Sequence, residues 1–112
     1  MENCLFCRIA AGEIESNKVY EDERVLAIHD INPVAPVHIL LIPKEHISSL
    51  HEVDESHTEL TGYVQVIAAR LARELGLEGF RVVNNSGATA GQSVFHIHYH
   101  LLGGRGFRWP PG

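Results

Sequence analysis

The sequence predicts one α+β domain in which a mainly antiparallel sheet of five strands packs with one long helix and one short helix. Five short segments have the composition of β-strands. One longer segment, between the third and the fourth strand, repeats apolar residues at helical spacing. A chain of 112 residues is also too short for two hydrophobic cores, so we expect residues 1–112 to form a single domain.

The first predicted elements are a short helix and two strands. The segment 4–12 has apolar residues spaced for a helix, and its last residue is a glycine that can end it. The segments 18–21 and 25–30 predict two strands joined by a polar turn. Two prolines in the segment 32–36 then predict a loop.

The central part of the chain predicts a buried strand and the long helix. The β-rich segment 37–42 stops at Pro43, which is consistent with a short central strand. Asp54 is a suitable N-cap for the helix, and Gly76 can close it. The apolar residues at helical spacing that predict its buried face are Val64, Ile67, Ala68, Leu71 and Leu75.

The last part predicts two strands around a loop of small residues. The strands are 80–84 and 94–102, and the loop is 86–92. Side chains alternate across a strand, so the fifth strand should carry three histidines on one face and apolar residues on the other. The histidines are His96, His98 and His100, and the apolar residues are Ile97, Tyr99 and Leu101.

Three imidazoles in a row suit either a metal ion or a phosphoryl group. Histidines on one face of a strand lie about 7 Å apart, so neighbours can reach the same small ligand. The loop 86–92 favours phosphate, because small residues let backbone N–H groups approach an anion. The alternative is a polar face on an edge strand, which the apolar residues on both sides of the histidines disfavour.

Composition and charge exclude several classes of protein. The formal net charge is −5 and no cluster of lysines and arginines occurs, which disfavours binding to nucleic acid. No apolar run is long enough to span a membrane, and the first residues do not resemble a secretory signal. The two cysteines are too close in sequence to join distant parts of the chain. We therefore expect a cytoplasmic protein that binds neither nucleic acid nor membrane.

The segment 96–102 reads H-φ-H-φ-H-φ-φ, where φ is apolar, and resembles the signature of the histidine-triad (HIT) family of nucleotide hydrolases and transferases. The resemblance covers nearly the whole chain. The C-terminal segment 109–112, Trp-Pro-Pro-Gly, is similar to the Hint branch, the purine nucleoside phosphoramidases. Other similar blocks are 29–33, 36–38, 42–47, 91–93 and 103–105. The resemblance implies a homodimer whose two sheets join into one.

The resemblance also implies catalytic roles. His98 would attack the α-phosphorus and become nucleotidylated, and His38 would hydrogen-bond His98 and orient it. His100 would hold phosphate oxygens, and Ser93 would do so too while lying near the leaving group. Neutral imidazole attacks phosphorus without an activating base, so the chemistry itself should require no metal.

The nucleotide would be held by residues from both halves of the chain. By the same resemblance, Asp30 would accept hydrogen bonds from the ribose hydroxyls, and Asn85 and Gln92 would join Ser93 and His100 at the phosphate. The apolar residues that match the positions clamping the purine are Leu5, Phe6, Ile9, Ile14, Ile28, Ile31 and Leu40.

The pair Cys4-x-x-Cys7 supplies half of a tetrahedral zinc site. Many bacterial HIT proteins carry such a pair together with two histidines, and the resemblance places these at His46 and His96. The alternative is a pair of reduced thiols on a surface helix. A redox pair of the thioredoxin type is disfavoured, since no strand precedes the motif.

The function expected from the sequence is hydrolysis of purine nucleoside phosphoramidates, with purine nucleotides and a second copy of the chain as partners and zinc as a structural cofactor. Hydrolysis of dinucleoside polyphosphates or nucleotidyl transfer is the alternative within the family. A zinc-stabilised nucleotide sensor without catalysis is the alternative of another class, and retention of His98 with its polar neighbours argues against it.

Overall fold

The computed structural model describes residues 3–112 and confirms the predicted α+β architecture. A short helix precedes three strands, a long helix follows, and two strands close the domain. The elements are α1 (Leu5–Ala10), β1 (Lys18–Glu21), β2 (Val25–His29), β3 (Val37–Pro43), α2 (Thr58–Glu74), β4 (Phe80–Val83) and β5 (Tyr99–Gly103). Within residues 3–112 no helix is long and apolar enough to cross a membrane.

All neighbouring strands pair antiparallel, in the order β1-β2-β3-β5-β4. The third strand is central, as predicted, and the fifth lies between β3 and β4 rather than at an edge. Pro43 does not stop the third strand: it is the last residue of β3 and pairs with Val25. Proline is tolerated there because its backbone faces the side of β5, where pairing has already ended, whereas the next N–H, that of Lys44, still donates to the carbonyl of Arg24 at 2.8 Å.

The fifth strand begins at Tyr99, five residues later than predicted. The register of β3 against β5 pairs Leu41 with Tyr99, so continuing it would set Pro43 opposite Ile97. Pro43 has no N–H, and its carbonyl accepts a hydrogen bond from the His96 side chain at 2.6 Å. The N–H of Ile97 instead bonds to the carbonyl of Ile47 at 2.6 Å. The residues before Tyr99 therefore leave the sheet.

The two faces of the sheet pack against different helices. Alternating residues of β2 and β3 bury one face against α2, and the residues between them face α1. Ile97, Tyr99 and Leu101 belong to the α2 side, as the alternation predicted. The α1 side contains Phe6, Ile9, Leu26, Ile28, Leu40 and Ile42. The histidine face thus lies on the side of α1.

The ends of α2 differ slightly from prediction. Asp54 caps a 3-10 turn, Glu55–His57, through a 2.9 Å hydrogen bond from the N–H of Ser56, and the α-helix begins after this turn. At the other end Gly76 has a φ of +67° and terminates the helix, as predicted.

Candidate active site and metal centre

A cavity of about 280 Å³ lies between α1 and the histidine face of the sheet. Its walls are apolar, and polar groups gather at one end. The lining residues are Leu5, Phe6, Ile9, Ile28, His29, Asp30, Ile31, Leu40, Ser93, Val94, His98 and His100. Ten of these twelve are residues that the sequence assigned to catalysis or nucleotide binding, the exceptions being His29 and Val94.

His98 is almost completely buried, and one of its ring nitrogens is held in a hydrogen bond to the backbone. Its Nδ1 lies 2.7 Å from the carbonyl oxygen of His96, which can only accept, so Nδ1 carries the proton and donates. The edge of the Phe6 ring contacts the imidazole, with ring centroids 5.0 Å apart. Burial lowers the pKa of His98 and favours the neutral ring. Its Nε2 therefore keeps a free lone pair.

His38 hydrogen-bonds His100 rather than His98, which corrects the partner expected from the resemblance. The Nε2 of His38 lies 2.8 Å from the Nδ1 of His100. The N–H of Val34 donates to the Nδ1 of His38 at 3.1 Å, so neutral His38 carries its proton on Nε2. This Nε2–H donates a hydrogen bond to the Nδ1 of His100. Neutral His100 then carries its own proton on Nε2. His38 consequently fixes His100 as a hydrogen-bond donor.

Burial and mutual proximity keep this pair neutral. Burial, with neighbouring His98 and His38, lowers the pKa of His100 to about 4. Burial also lowers the pKa of His38, although the carboxylate of Asp30, 3.3 Å from its Nε2, opposes the shift. Uncharged imidazoles can act as nucleophile and hydrogen-bond donor at neutral pH.

Asp30, His38 and His100 lie close enough together to suggest a second metal site. The hydrogen bonds do not fit one. For the Nε2 of His38 to bind a metal, the proton of this ring would have to move to Nδ1 and face the N–H of Val34. Two donors would then oppose each other inside the protein, which costs free energy.

Asn85, Gln92 and Ile14 do not line the cavity. The side chain of Gln92 is buried and ties the loop together instead. Its Nε2 donates to the carbonyls of Ser48 and Val94, and its Oε1 accepts from the N–H of Gly87. The side chain of Gln92, which the resemblance placed with Ser93 at the phosphate, is therefore engaged in hydrogen bonds within the protein. Ile14 packs behind the cavity, against the α1 side of the core.

The loop amides are also less available to an anion than the sequence suggested. The N–H groups of Gly87, Ala90, Gly91 and Gln92 all donate within the loop. Ser93 is the exposed residue at which the loop reaches the cavity. Phosphate contacts from this segment should consequently come from Ser93 rather than from the loop as a whole.

The structure places Asn84 against the histidine segment, residues 96–100. Asn84 was not identified from the sequence. Its Nδ2 donates to the carbonyl of His98 at 2.9 Å, and its Oδ1 is buried without a hydrogen-bond partner among the described residues. The signal available in the sequence was its position at the end of the predicted strand 80–84, beside Asn85, and that position did not distinguish the two asparagines.

A second cluster joins α1 to the end of the sheet. The ligand atoms of Cys4, Cys7, His46 and His96 all lie within 4.8 Å of one another. The Nδ1 of His96 is 3.2 Å from the Sγ of Cys4 and 3.1 Å from the Nδ1 of His46. Ligands of tetrahedral zinc, at about 2.0–2.3 Å from the metal, are about 3.3–3.8 Å apart, close to these separations.

The hydrogen bonding of His96 also fits a metal. Its Nε2 donates to the carbonyl of Pro43, so its Nδ1 presents a lone pair to the cluster. Without a cation, this lone pair would face the sulfur atoms and the Nδ1 of His46 inside a buried site. Two thiolates and two imidazoles form a closed donor set of the structural zinc type. The predicted ligands therefore come together in a geometry that suits zinc.

Comparison with known proteins identifies the same family along most of the chain. Residues 11–107 match the family model described as the HIT domain. A 14 kDa zinc-binding protein from Zea mays is 52% identical over 111 residues, which cover 96% of this chain and 87% of that protein.

Solved structures agree with this assignment. The HIT family hydrolase from Legionella pneumophila Philadelphia 1 is 49% identical, with a TM-score of 0.96 over 98% of this chain and 100% of that one. A Zn-bound histidine triad family protein from Mycobacterium smegmatis is 38% identical, with a TM-score of 0.80 over 93% and 76% of the two chains. The extent of these matches, together with the histidine segment, shows that the chain belongs to the HIT family.

Proposed function

We propose that this protein hydrolyses purine nucleoside phosphoramidates through a nucleotidyl intermediate on His98. The observation that carries the proposal is the state of His98. It is buried at the polar end of an apolar cavity, and its Nδ1 is bonded to the His96 carbonyl. The lone pair on Nε2 is therefore free to attack a phosphorus atom.

The reaction has two displacements at the α-phosphorus. In the first, the Nε2 of His98 forms a bond to phosphorus while the P–N bond to the amine breaks, and the amine leaves with a proton relayed from solvent through the hydroxyl of Ser93. The His96 carbonyl stabilises the positive charge that develops on the imidazole. In the second, water breaks the Nε2–P bond and gives up a proton to solvent, which restores the neutral ring.

The other cavity residues bind and orient the nucleotide. His100, fixed as a donor by His38, offers its Nε2–H to a phosphate oxygen where negative charge builds up. Asp30 lies at the polar end and accepts hydrogen bonds from the ribose. The apolar walls provided by Phe6, Ile9 and the strands enclose the base.

Zinc has a structural role in this proposal. Cys4, Cys7, His46 and His96 would hold it, and with all four ligands supplied by the protein no position remains for substrate. When bound, the metal supplies cross-links between α1, the segment after β3 and the histidine segment. The relatives named for zinc binding support this assignment.

The test is a rapid-quench reaction with a labelled adenosine phosphoramidate, followed by mass analysis of the protein. We expect an acid-labile nucleotidyl adduct on His98. Parallel rates with a dinucleoside polyphosphate distinguish the alternative within the family. An adduct on another residue would contradict the mechanism, and nucleotide binding without turnover of either substrate would support a sensor instead.

A further inference from the structure

We infer that the amine part of the substrate binds in a second cavity beside the nucleotide cavity, and that this second cavity favours uncharged aromatic groups. The inference rests on the proposed function and specifies which phosphoramidates the site accepts. Apart from Ser93, the residues that line this second cavity take no part in the proposed catalytic steps.

The second cavity adjoins the first directly. It has a volume of about 520 Å³ and shares Leu5, Ser93 and Val94 with the nucleotide cavity. The complete set of described lining residues is Asn3, Cys4, Leu5, His46, Ser93, Val94 and Phe95. The two spaces therefore meet at Ser93, the residue that we place next to the leaving amine.

The geometry of displacement directs the leaving group towards this second space. Attacking and leaving atoms lie roughly in line at phosphorus, so the amine departs on the side away from His98. His98 is buried, whereas Ser93 is exposed at the rim. A substituent on the amine thus extends outwards past Ser93, where the second cavity begins.

The chemistry of the lining selects the substituent. Phe95 is 52% exposed and, with Leu5 and Val94, gives the cavity an apolar surface that is open to solvent among the described residues. None of the described lining residues is Lys, Arg, Asp or Glu. A polyphosphate leaving group would find no cation there, while an aromatic ring would bury apolar surface against Phe95. Cys4 and His46 also line the cavity, but in the proposed site both are committed to zinc.

The experiment compares two adenosine phosphoramidates that differ only by a phenyl ring, those of propylamine and 3-phenylpropylamine. Each protein is characterised by the ratio of the two kcat/KM values, which cancels any general loss of activity. We expect the wild-type protein to prefer the phenyl compound about tenfold, and Phe95→Ala to bring the ratio close to one. Leu50→Ala, at a residue 47% exposed outside both cavities, is the matched control and should keep the wild-type ratio.

A second variant tests the charge argument in the opposite direction. Phe95→Arg places a cation in the cavity and should raise the rate on diadenosine tetraphosphate relative to the propylamine compound by about tenfold. Zinc content, measured on each variant, verifies that the neighbouring His96 is still in place. Equal wild-type rates on the two phosphoramidates, or an unchanged ratio in Phe95→Ala, would overturn this inference alone. Failure to cleave either phosphoramidate would overturn the proposed function with it.

Discussion

Each histidine of the triad has a different set of hydrogen-bond partners, and these partners determine what its ring nitrogens can do. His96 donates to Pro43 and turns a lone pair towards the cysteines. His98 donates to the carbonyl of His96 and keeps its Nε2 free. His100 accepts from His38 and presents a donor. In the proposed mechanism, these three identical side chains thus serve as a metal ligand, a nucleophile and a hydrogen-bond donor to phosphate.

Replacing His98 with asparagine should separate binding from catalysis. The asparagine amide can still donate to the His96 carbonyl, so the local structure should persist, while the nucleophile is lost. We expect AMP binding measured by calorimetry to remain within a few fold of wild type, and turnover to become nearly undetectable. Ser93→Ala should cost less, about 10² to 10³ in kcat. Full activity of His98→Asn would contradict the mechanism.

The buried pair His38 and His100 should make the fold sensitive to acid. The pKa of His100 is lowered to about 4 in the folded state, against about 6.5 in the unfolded chain. Above pH 6.5 both states are neutral, and between pH 6.5 and 4 only the unfolded state takes up the proton. Stability is therefore lost as the pH falls through this window, by up to about 1.4 kcal/mol per pH unit from His100.

Urea unfolding of zinc-loaded protein at several pH values tests this prediction. His100→Gln retains an acceptor for the N–H of His38 but cannot titrate. The free energy of unfolding of this variant should fall less steeply between pH 6.5 and 4 than that of wild type. The same slope in both proteins would show that His100 is not the group responsible.

The family resemblance named ten of the twelve residues that line the cavity. It could do so because strand alternation and local motifs determine which side chains share a face. It misassigned interactions that depend on tertiary contacts. Nothing in the sequence indicated that the side chain of Gln92 would form hydrogen bonds with the backbone of Ser48, Val94 and Gly87. Likewise the hydrogen bond between His38 and His100 depends on the register of β3 against β5. This register places Leu40 opposite His100, and His38 lies two residues from Leu40 on the same face.

At the scale of elements, α1 depends on contacts outside itself. It has six residues, too few to be stable alone, and its N-cap is the sulfur of Cys4, which accepts from the N–H of Cys7 at 3.3 Å. Phe6 and Ile9 attach it to the sheet and form one wall of the cavity. Loss of the cysteine cluster should therefore weaken both the fold and nucleotide binding.

Cys4→Ser tests this dependence, since serine preserves an N-cap but supplies a poor zinc ligand. Elemental analysis should find about one zinc per wild-type chain and much less in the variant. At free zinc one hundred times Kd, the metal should add about 2.7 kcal/mol to the free energy of unfolding of wild type and nearly nothing to the variant. Wild-type protein that is purified without zinc, and that melts at the same temperature as Cys4→Ser, would contradict the proposal.

The late start of β5 illustrates a limit of sequence patterns at this scale. The alternation of residues 96–101 correctly placed the imidazoles and the apolar side chains on two faces, but a hydrogen-bonded strand also requires partner strands. Pro43 on one side and Asn84 on the other end the neighbouring strands, and the Asn84 side chain takes the His98 carbonyl. Residues 94–98 therefore lie outside the ladder and include bends at 94–96, which no pattern within the segment could indicate.

At the scale of the whole molecule, the surface suggests a missing partner. The chain exposes 6877 Å², whereas a monomer of this mass is expected to expose about 6,100 Å². The edge strand β1 carries the charged residues Lys18 and Glu21 and has an irregular register. The other edge, β4, presents Phe80 at 43% exposure. The expected homodimer should therefore form along β4 rather than β1.

Light scattering at micromolar concentration should give twice the chain mass of 12.4 kDa. Phe80→Lys should shift the protein towards monomer, because a charge on the edge opposes strand pairing. Lys18→Phe, at the other edge, should leave the mass unchanged. A monomeric wild-type protein would refute the dimer.

The C-terminal segment is open to contact with a partner. Trp109 is 83% exposed, and the resemblance implies that this segment reaches the site of the second copy. Removing residues 108–112 should therefore alter the relative rates on phosphoramidates with different amines, while the mass in light scattering stays that of a dimer. Unchanged relative rates would exclude a role of the segment in substrate choice.

The placement of His96, the proposed metal ligand, two residues before His98, the proposed nucleophile, has an evolutionary consequence. One inserted or deleted residue between His96 and His98 would turn one of the two side chains to the opposite face, and would abolish metal binding or chemistry in a single event. Changes in length should survive selection only outside this segment, for example at Ala88–Ala90, whose side chains are exposed. The spacing of the histidines should thus be inherited as one unit, whereas the exposed residues Ala88–Ala90 should tolerate change.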